Sequence, residues 1–513
     1  MYILMSIIKS LKFPVFFVLL FLTVNVTQTV YAASDGSTTS DQKTFALKTE
    51  VNTIDEDVDA HTSTEVTAHT EPAGWSVIPF ILLLLMIATG PLFYEHFWHK
   101  NYPKIAVFLA IIVVLYYLFV LHNSHQPIHA LAEYVQFISL LTGLFFASGA
   151  IMINVDKKAT PLANVIILLV GAVIANIIGT TGASMLLIRP FIRLNKGRIK
   201  AYHIVFFIFI VSNVGGSLTP IGDPPLFLGF LKGIPFFWTL THNFLPWVLG
   251  VLLLCLMFYI FDSRNKKVYN NQVEEGFTNK VSLIGSKNFL WLTIIVLAVF
   301  IDPNVFDWVP GINYHGQKIS FVREIIMLSA AFLSYRLADK KILEENEFSI
   351  EPIREVAFLF IGIFGTMMPA LELVSIFARS DTGQALITHN VLYWGTGTLS
   401  GFLDNAPTYL NFLAAGMSAR GADINVVADV VQYAQGGVFY NSIIDLKSIS
   451  IGAVFFGAFS YIGNGPNFMV KSIAEQIGID MPSFFGYIVK YSIPILVPVL
   501  IITWLIFFFS VPV

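Results

Sequence analysis

The chain has 513 residues, of which 56% are hydrophobic and 12% are charged, and its net charge at pH 7 is −3. A soluble globular domain carries about 25% charged residues. The composition therefore argues against that class and predicts an all-α polytopic membrane protein surrounded by lipid. The near-neutral charge argues against nucleic acid as a partner, and the single cysteine, Cys255, excludes a disulfide within the chain.

The N-terminus resembles a targeting segment followed by a polar tail. In residues 1–32, Lys9 and Lys12 precede an apolar core, and Val30-Tyr31-Ala32 offers a cleavage site, as in a secretory signal peptide. An uncleaved membrane anchor is the alternative. Residues 33–72 are rich in Ser, Thr, Asp and Glu. We expect them to form a disordered acidic leader outside the cytoplasm.

The first spans and their loops predict the orientation of the chain. Residues 73–103 hold the first predicted transmembrane helix and its loop. The predicted spans of this region cover residues 75–93, 104–121 and 131–153. Lys100, Lys104, Lys157 and Lys158 place the first and third loops in the cytoplasm, because cytoplasmic loops are enriched in Lys and Arg. Glu133 then lies near an external helix end, where we expect it to contact solvent.

Residues 159–194 form an apolar segment of unusual length between two basic clusters. It has about 34 mostly apolar residues, whereas one spanning helix needs about 20 and two need about 40. Its centre, residues 176–182, is polar and rich in glycine. These features favour a re-entrant hairpin that enters from the cytoplasm and turns at its centre. A single long tilted span is the alternative.

Residues 209–226 break the next apolar run with three glycines and three prolines. This stretch is not one continuous helix, because proline lacks the N–H and clashes with the preceding turn. Broken backbone at membrane depth is tolerated only inside protein or beside a water-filled cavity. A carboxylate at that depth, here Asp223, is costly and indicates function. We expect an unwound transmembrane helix that lines a site; a polar loop between two spans is the alternative.

The second half of the chain repeats this order of features. The matched features are Gly143-Leu144-Phe145 with Gly362-Ile363-Phe364, Asn176 with residues 404–408, and residues 221–225 with residues 462–467. A hairpin followed by a broken helix, twice, predicts an inverted repeat of about five elements per half, with two re-entrant hairpins and two discontinuous transmembrane helices. The repeats cover residues 104–262 and 321–513, and residues 263–320 connect them through one helix. Chance similarity of two breaks is the alternative.

The residues at these breaks resemble a transporter family. The runs 212–226 (SNVGGSLTPIGDPPL), 404–408 (DNAPT) and 462–467 (IGNGPN) resemble the ion transporter superfamily, which includes NhaD-type sodium:proton antiporters, arsenite-permease-like pumps and citrate:metal symporters. The first run is similar to the NhaD-type branch. The resemblance implies a homodimer with a fixed scaffold domain and a moving transport domain. Ala175-Asn176 departs from the Asp-Asn usual at the NhaD-type hairpin tip and removes one carboxylate.

The four breaks supply oxygen atoms of the kind that sodium prefers. The candidate ligands are Asn176, Thr180, Thr181, Ser212, Asn213, Asp223, Asp404, Asn405, Thr408, Asn464 and Asn467. Asp223 and Asp404 are the acids at the breaks, and a carboxylate that holds either a cation or a proton would couple their exchange. In the alternative interpretation, the Asn and Thr residues only cap half-helices.

The sequence therefore predicts a secondary active transporter of the cell inner membrane. We expect a sodium:proton antiporter that works by elevator-like alternating access, with sodium and protons as transported ions and no further cofactor. An ion-coupled citrate or other carboxylate transporter is the alternative. No HExxH or GxSxG motif and no clustered histidines occur in the predicted spans, so the sequence argues against an enzyme.

Overall fold

A computed structural model describes residues 71–155, 159–265, 281–303, 306, 308–314, 317–437 and 439–511. The predicted signal peptide and residues 33–70 of the predicted leader lie outside the described residues.

The described residues are mostly helical. The helices of the first part are α1 (Ile78–Phe93), α2 (Glu95–Phe119), α3 (His125–Gly149), α4 (Pro161–Leu194), α5 (Ala201–Ile210), α6 (Pro224–Lys232), α7 (Trp238–Ser263) and α8 (Asn288–Ala298). Those of the second part are α9 (Val322–Leu337), α10 (Lys340–Glu345), α11 (Glu351–Arg379), α12 (Asp381–Leu386), α13 (His389–Phe402), α14 (Asn405–Ala419), α15 (Val427–Gln435), α16 (Ser442–Phe456), α17 (Gly465–Gln476), α18 (Phe484–Tyr487) and α19 (Val497–Phe507).

Short strands and turns complete the secondary structure. Strand β1 (Met152–Val155) pairs antiparallel with β2 (Val281–Ile284), and β3 (Ile312–Tyr314) pairs antiparallel with β4 (Gln317–Ile319). A π-helical stretch, Ile488–Leu496, joins α18 to α19. Short 3₁₀ turns follow α5 and α16, at Val214–Gly216 and Gly457–Phe459.

The protein is an all-α, multi-pass membrane protein. Within the described ranges, eight helical segments are long and apolar enough to cross a membrane by length and composition. Large apolar side chains on outer helices are exposed, as for Phe108 of α2 at 63%. Such exposure suits a surface in contact with lipid, because lipid tails are as apolar as the side chain.

Several helices extend beyond the predicted spans. Helix α3 begins at His125 rather than at residue 131, and α2 begins at Glu95 rather than at residue 104. Both extensions contain polar or aromatic residues that a hydropathy window leaves out, although their backbone continues the helix. Element ends are therefore less predictable from apolar length than the existence of the helix itself.

Helix α4 folds back on itself at Gly179. Gly179 has φ +79° and ψ 155°, which is a non-helical conformation open to glycine. A continuous helix of this length would hold its ends about 50 Å apart. Instead, the Asn164 side-chain amide donates to Asn195 Oδ1 at 2.8 Å, so the two ends of the element lie side by side.

Helices α13 and α14 make a second fold-back of similar form. The chain is extended at Leu403 (φ −118°, ψ 172°), and Asp404 then caps α14 by accepting the Ala406 N–H at 3.0 Å. A Cβ placed on Gly416 would lie 3.4 Å from Leu392 Cδ1, so the two helices run against each other. The turn therefore lies at residues 403–404, where the polar pair Asp404-Asn405 begins to interrupt the apolar run.

Both predicted broken helices are interrupted in the same manner. Helix α5 gives way to the turn Val214–Gly216 before α6 begins, and α16 gives way to the turn Gly457–Phe459 before α17 begins. A Cβ on Gly222 would collide with the Gly216 carbonyl oxygen, and one on Gly463 would lie 2.6 Å from the Gly457 carbonyl oxygen. The chain crosses itself tightly at each break, and only glycine fits. The division into inverted repeats stays a prediction.

A buried polar cluster ties the base of the first fold-back to the helices beside it. Asp262, near the end of α7, accepts from Arg198 Nη2 at 2.7 Å, from Tyr202 Oη at 2.7 Å and from Asn164 Nδ2 at 2.9 Å. His203 Nε2 lies 3.1 Å from the same carboxylate. The cluster therefore fixes α4, α5 and α7 relative to one another at the N-terminal end of α5.

Candidate ion and substrate site

The carboxylate of Asp223 lies at the centre of the broken segments. Asp223 is 1% exposed. Its Oδ1 accepts from Thr180 Oγ1 at 2.9 Å and from Asn464 Nδ2 at 2.8 Å, and its Oδ2 accepts from Asn405 Nδ2 at 2.7 Å. These partners come from α4 after its turn, from the start of α17 and from the start of α14. One carboxylate thus joins both fold-backs and both broken helices.

Asn464 and Asn213 connect the two broken helices directly. Asn464 Nδ2 lies 3.1 Å from Asn213 Oδ1 and 3.2 Å from the Ser212 carbonyl oxygen. Asn213 Nδ2 in turn donates to Asn467 Oδ1 at 2.7 Å. Asn213 and Asn467 are 0% exposed. The structure therefore brings these predicted site residues together in one buried hydrogen-bonded network with Asp223.

Asn176 is engaged with backbone groups of the first break. Its Nδ2 donates to the Gly215 carbonyl oxygen at 2.7 Å, and its Oδ1 accepts the Leu218 N–H at 2.9 Å. Thr180 continues this contact, because its N–H donates to the Gly222 carbonyl oxygen at 2.8 Å. The tip of the first fold-back thereby holds the unwound backbone in place, and the Asn176 amide is used for that purpose.

Asp404 and Thr408 lie at the start of α14, beside the Asp223 cluster. Asp404 is half-buried, and its side chain caps the helix through the Ala406 N–H. Thr408 Oγ1 donates to the Asp404 carbonyl oxygen at 2.9 Å. The next residue, Asn405, donates to Asp223, so Asp404 lies beside the residues that hold the Asp223 carboxylate. The predicted pair of carboxylates thus shares one region of the fold.

The other predicted ligands lie around this centre. Ser212 Oγ lies 2.8 Å from Ser184 Oγ, and both residues are 0% exposed. Thr181 follows Thr180 and is half-buried. Ser184 and Thr219 are not among the site residues predicted from the sequence. The Thr219 hydroxyl donates to the Asn176 carbonyl oxygen at 2.6 Å. Ser184 lies one helical turn after Thr180, and that spacing could have indicated it.

Helix N-termini converge on the same centre. Helix α6 begins directly after Asp223, α14 begins at Asn405, and α17 begins directly after Asn464. The N-terminus of a helix carries a partial positive charge and unpaired N–H groups, so it favours an anion nearby. The described hydrogen-bond partners of Asp223 are neutral side chains. The helix ends therefore supply the positive potential around this carboxylate.

One expectation from the sequence is wrong. Glu133 was expected to contact solvent, but it is 7% exposed and its Oε1 lies 2.7 Å from Lys232 Nζ. The packing of α3 near the end of α6, where Lys232 lies, brings the two charges together inside the protein. Glu133 and Lys232 are far apart in the sequence, so the hydropathy pattern does not indicate their contact.

The comparisons with known proteins identify the family. A family model described as "Putative citrate transport" matches residues 69–508 of the chain. Because this match covers most of the sequence, the chain belongs to that family of ion transporters. A comparison with curated proteins gives no match.

Proposed function

We propose that this member of the citrate-transport family is a sodium:proton antiporter that works by alternating access. The buried Asp223 carboxylate, held between both fold-backs and the second broken helix, carries the proposal. Asp223 and Asp404 hold either sodium or protons, and exchange follows from that competition. The transported ions need no organic cofactor.

The burial of Asp223 supports a coupling role for its charge. An isolated carboxylate inside a membrane protein is costly, and a bound cation or a proton removes that cost. The surrounding amides and hydroxyls lower the cost further without a basic side chain. A group of this kind takes up a positive partner from each side of the membrane when it becomes accessible there.

A neighbouring asparagine offers a sodium ligand after rotation of its amide. Asn405 and Asn464 both direct their Nδ2 groups at Asp223, and Asn464 Nδ2 also contacts Asn213 Oδ1 and the Ser212 carbonyl oxygen. An asparagine amide carries an oxygen acceptor and a nitrogen donor on one planar group. Rotation of the Asn405 amide would direct its Oδ1 toward a sodium ion beside Asp223. The hydroxyl of Thr180 and the Asp404 carboxylate are proposed to complete the set.

The arrangement of the broken helices supports an elevator-like movement. Unwound segments that meet near the middle of a fold are typical of secondary transporters with inverted repeats. We propose that the two fold-backs and the two broken helices move together as a transport domain against a scaffold, within a homodimer in the cell inner membrane. The N-terminal leader would then lie outside the cytoplasm.

An ion-coupled carboxylate transporter is the second candidate, and two observations favour it. The family description names citrate transport. The N-termini of α6, α14 and α17 at the site could bind a substrate carboxylate through backbone N–H groups, as helix N-termini do for anions. In that case Asp223 would hold the coupling cation beside the anionic substrate.

Transport by the purified protein in proteoliposomes distinguishes the two candidates. The antiporter predicts that an inward sodium gradient drives protons outward, with no requirement for a carboxylate. The carboxylate carrier predicts accumulation of radiolabelled citrate or a related acid that depends on a cation gradient. Proteoliposomes that show citrate accumulation without any sodium-driven proton movement would reject the antiporter in favour of the second candidate.

A further inference from the structure

Lys232 and Glu133 form a buried ion pair between two parts of the fold. Lys232 Nζ lies 2.7 Å from Glu133 Oε1, and the residues are 6% and 7% exposed. Glu133 lies on α3, which packs against α9 and α11, whereas Lys232 ends α6, which packs against α14 and touches α3. The pair therefore connects two different helices, α3 and α6, rather than two turns of one helix.

The helix that carries Lys232 begins at the candidate site. Helix α6 has 9 residues, with Asp223 as its N-cap and Lys232 at its end. At 1.5 Å per residue it is about 14 Å long. Gly233, at φ 118°, ends it sharply. Because so short a helix is one rigid element, the contact of Lys232 with Glu133 of α3 contributes to fixing the position of Asp223.

The free-energy cost of burying an ion pair inside the protein indicates the role of the pair. Such a pair contributes little net stability against an apolar replacement, but loss of one partner leaves an uncompensated charge. It therefore favours one arrangement of its helices over others. His129, one turn before Glu133, places its Nδ1 3.2 Å from the same Oε1. The Glu133 carboxylate is thus held by groups on α3 and on α6.

A cavity lies beside the pair. Its volume is about 270 Å³, and its lining includes Glu133, Lys232, Arg379 and Ile424. The Asp223 centre does not contribute to the described lining. Water in the cavity can hydrate Lys232 and Glu133 once they separate, which lowers the cost of breaking the pair. The contact is therefore suited to open and close.

We propose that the Lys232–Glu133 ion pair is a latch that holds α6, and with it Asp223, in one of two transport arrangements. The pair separates when the other arrangement forms. This inference rests on the alternating-access function proposed above. Lys232 acts as a positioning residue, because it sets where Asp223 lies without contacting the transported solute.

The test detects separation of the ion pair through the rate at which a cysteine on the cavity wall is labelled. Ile424 is 3% exposed, and Ile424→Cys in a Cys255→Ala background gives one thiol for a membrane-impermeant maleimide. We expect Glu133→Gln to raise the labelling rate by at least about fivefold, the lower end of typical coupling between sites. The double variant Glu133→Gln with Lys232→Gln should do the same without leaving an unpaired charge.

A second ion pair provides a matched control. Lys471 and Glu475 also lie 2.7 Å apart, but both belong to α17. Lys471→Gln should therefore leave the labelling rate at the parent value. A double Glu133→Gln, Lys232→Gln variant that labels at the parent rate would overturn the latch, because the effect of the single variant would then come from an unpaired charge.

Transport measured in the same proteoliposomes separates this inference from the function on which it rests. A parent protein that moves neither sodium nor a carboxylate rejects the proposed function. The labelling rates decide about the latch in either case, because they need no transported solute.

Discussion

The side-chain amide of Asn405 donates to Asp223 Oδ2 at 2.7 Å, across 182 positions of the chain. This contact joins the turn of the second fold-back to the break of the first broken helix. It is a direct link between the two halves of the sequence at the candidate site, and both residues are 1% exposed. The cation chemistry proposed for Asp223 therefore depends on Asn405.

Asn405→Ala should weaken binding of the transported cation. The Asn405 amide is proposed to turn its Oδ1 to the sodium ion, so the variant loses one ligand. A contact of this kind to a charged group contributes about 1.5–3 kcal/mol, so the half-saturating cation concentration should rise at least about tenfold. Asn411→Ala is the matched control on α14, because the Asn411 amide donates to the Pro407 carbonyl oxygen of its own helix. The measurement is initial transport rate against cation concentration in proteoliposomes. Equal half-saturation in both variants would contradict a role for Asn405.

Acidification should weaken apparent sodium binding if protons and sodium share the carboxylates. A lower pH raises the protonated fraction of Asp223 and Asp404, and a protonated carboxyl holds sodium poorly. The half-saturating sodium concentration should rise as the pH falls, by up to about tenfold per pH unit for one competing proton. Sodium titrations at a series of pH values test this. A half-saturating concentration that is constant with pH would exclude competition.

Gly463→Ala should destabilise the second break. Its Cβ would lie 2.6 Å from the Gly457 carbonyl oxygen and 2.7 Å from the Ser400 carbonyl oxygen, and backbone atoms cannot move aside. Overpacking of this kind costs about 1–3 kcal/mol. Gly465→Ala is the control, because nothing lies within 4 Å of its Cβ position. Thermal unfolding in detergent should show a lower transition temperature for the first variant alone.

Asp262→Ala should destabilise the base of the first fold-back. It removes the acceptor of Arg198, Tyr202 and Asn164 and leaves the buried Arg198 charge without its partner. Loss of one partner of such a pair costs about 3–5 kcal/mol. Glu351→Ala, in a pair with Arg354 whose side chains are 69% and 55% exposed, should cost less than about 1 kcal/mol. Similar transition temperatures for both variants would contradict the structural role of the cluster.

The breaks were predictable from sequence because their composition conflicts with a continuous helix. The glycines and prolines of residues 209–226 cannot pass through the bilayer as regular helix, and the resulting gap lies between α5 and α6. The length of residues 159–194 likewise predicted the turn at Gly179. These inferences rest on local backbone chemistry, which a single sequence contains.

The contacts between distant residues were not predictable in the same way. Nothing in the sequence indicates that Asn176 uses its amide on the Gly215 and Leu218 backbone rather than on a solute. The Glu133–Lys232 pair likewise depends on how α3 packs near the end of α6. Such pairings are set by tertiary packing, and hydropathy and turn signals carry no information about them.

Simultaneous measurement of sodium and proton flux for Asp223→Asn tests the central claim most directly. The parent in proteoliposomes should move protons outward under an inward sodium gradient, and Asp223→Asn should abolish both fluxes while the protein still elutes as a folded species. Asp381→Asn, an exposed acid on α12, should behave like the parent. Sodium-driven proton movement that persists at the parent rate in Asp223→Asn would contradict the account.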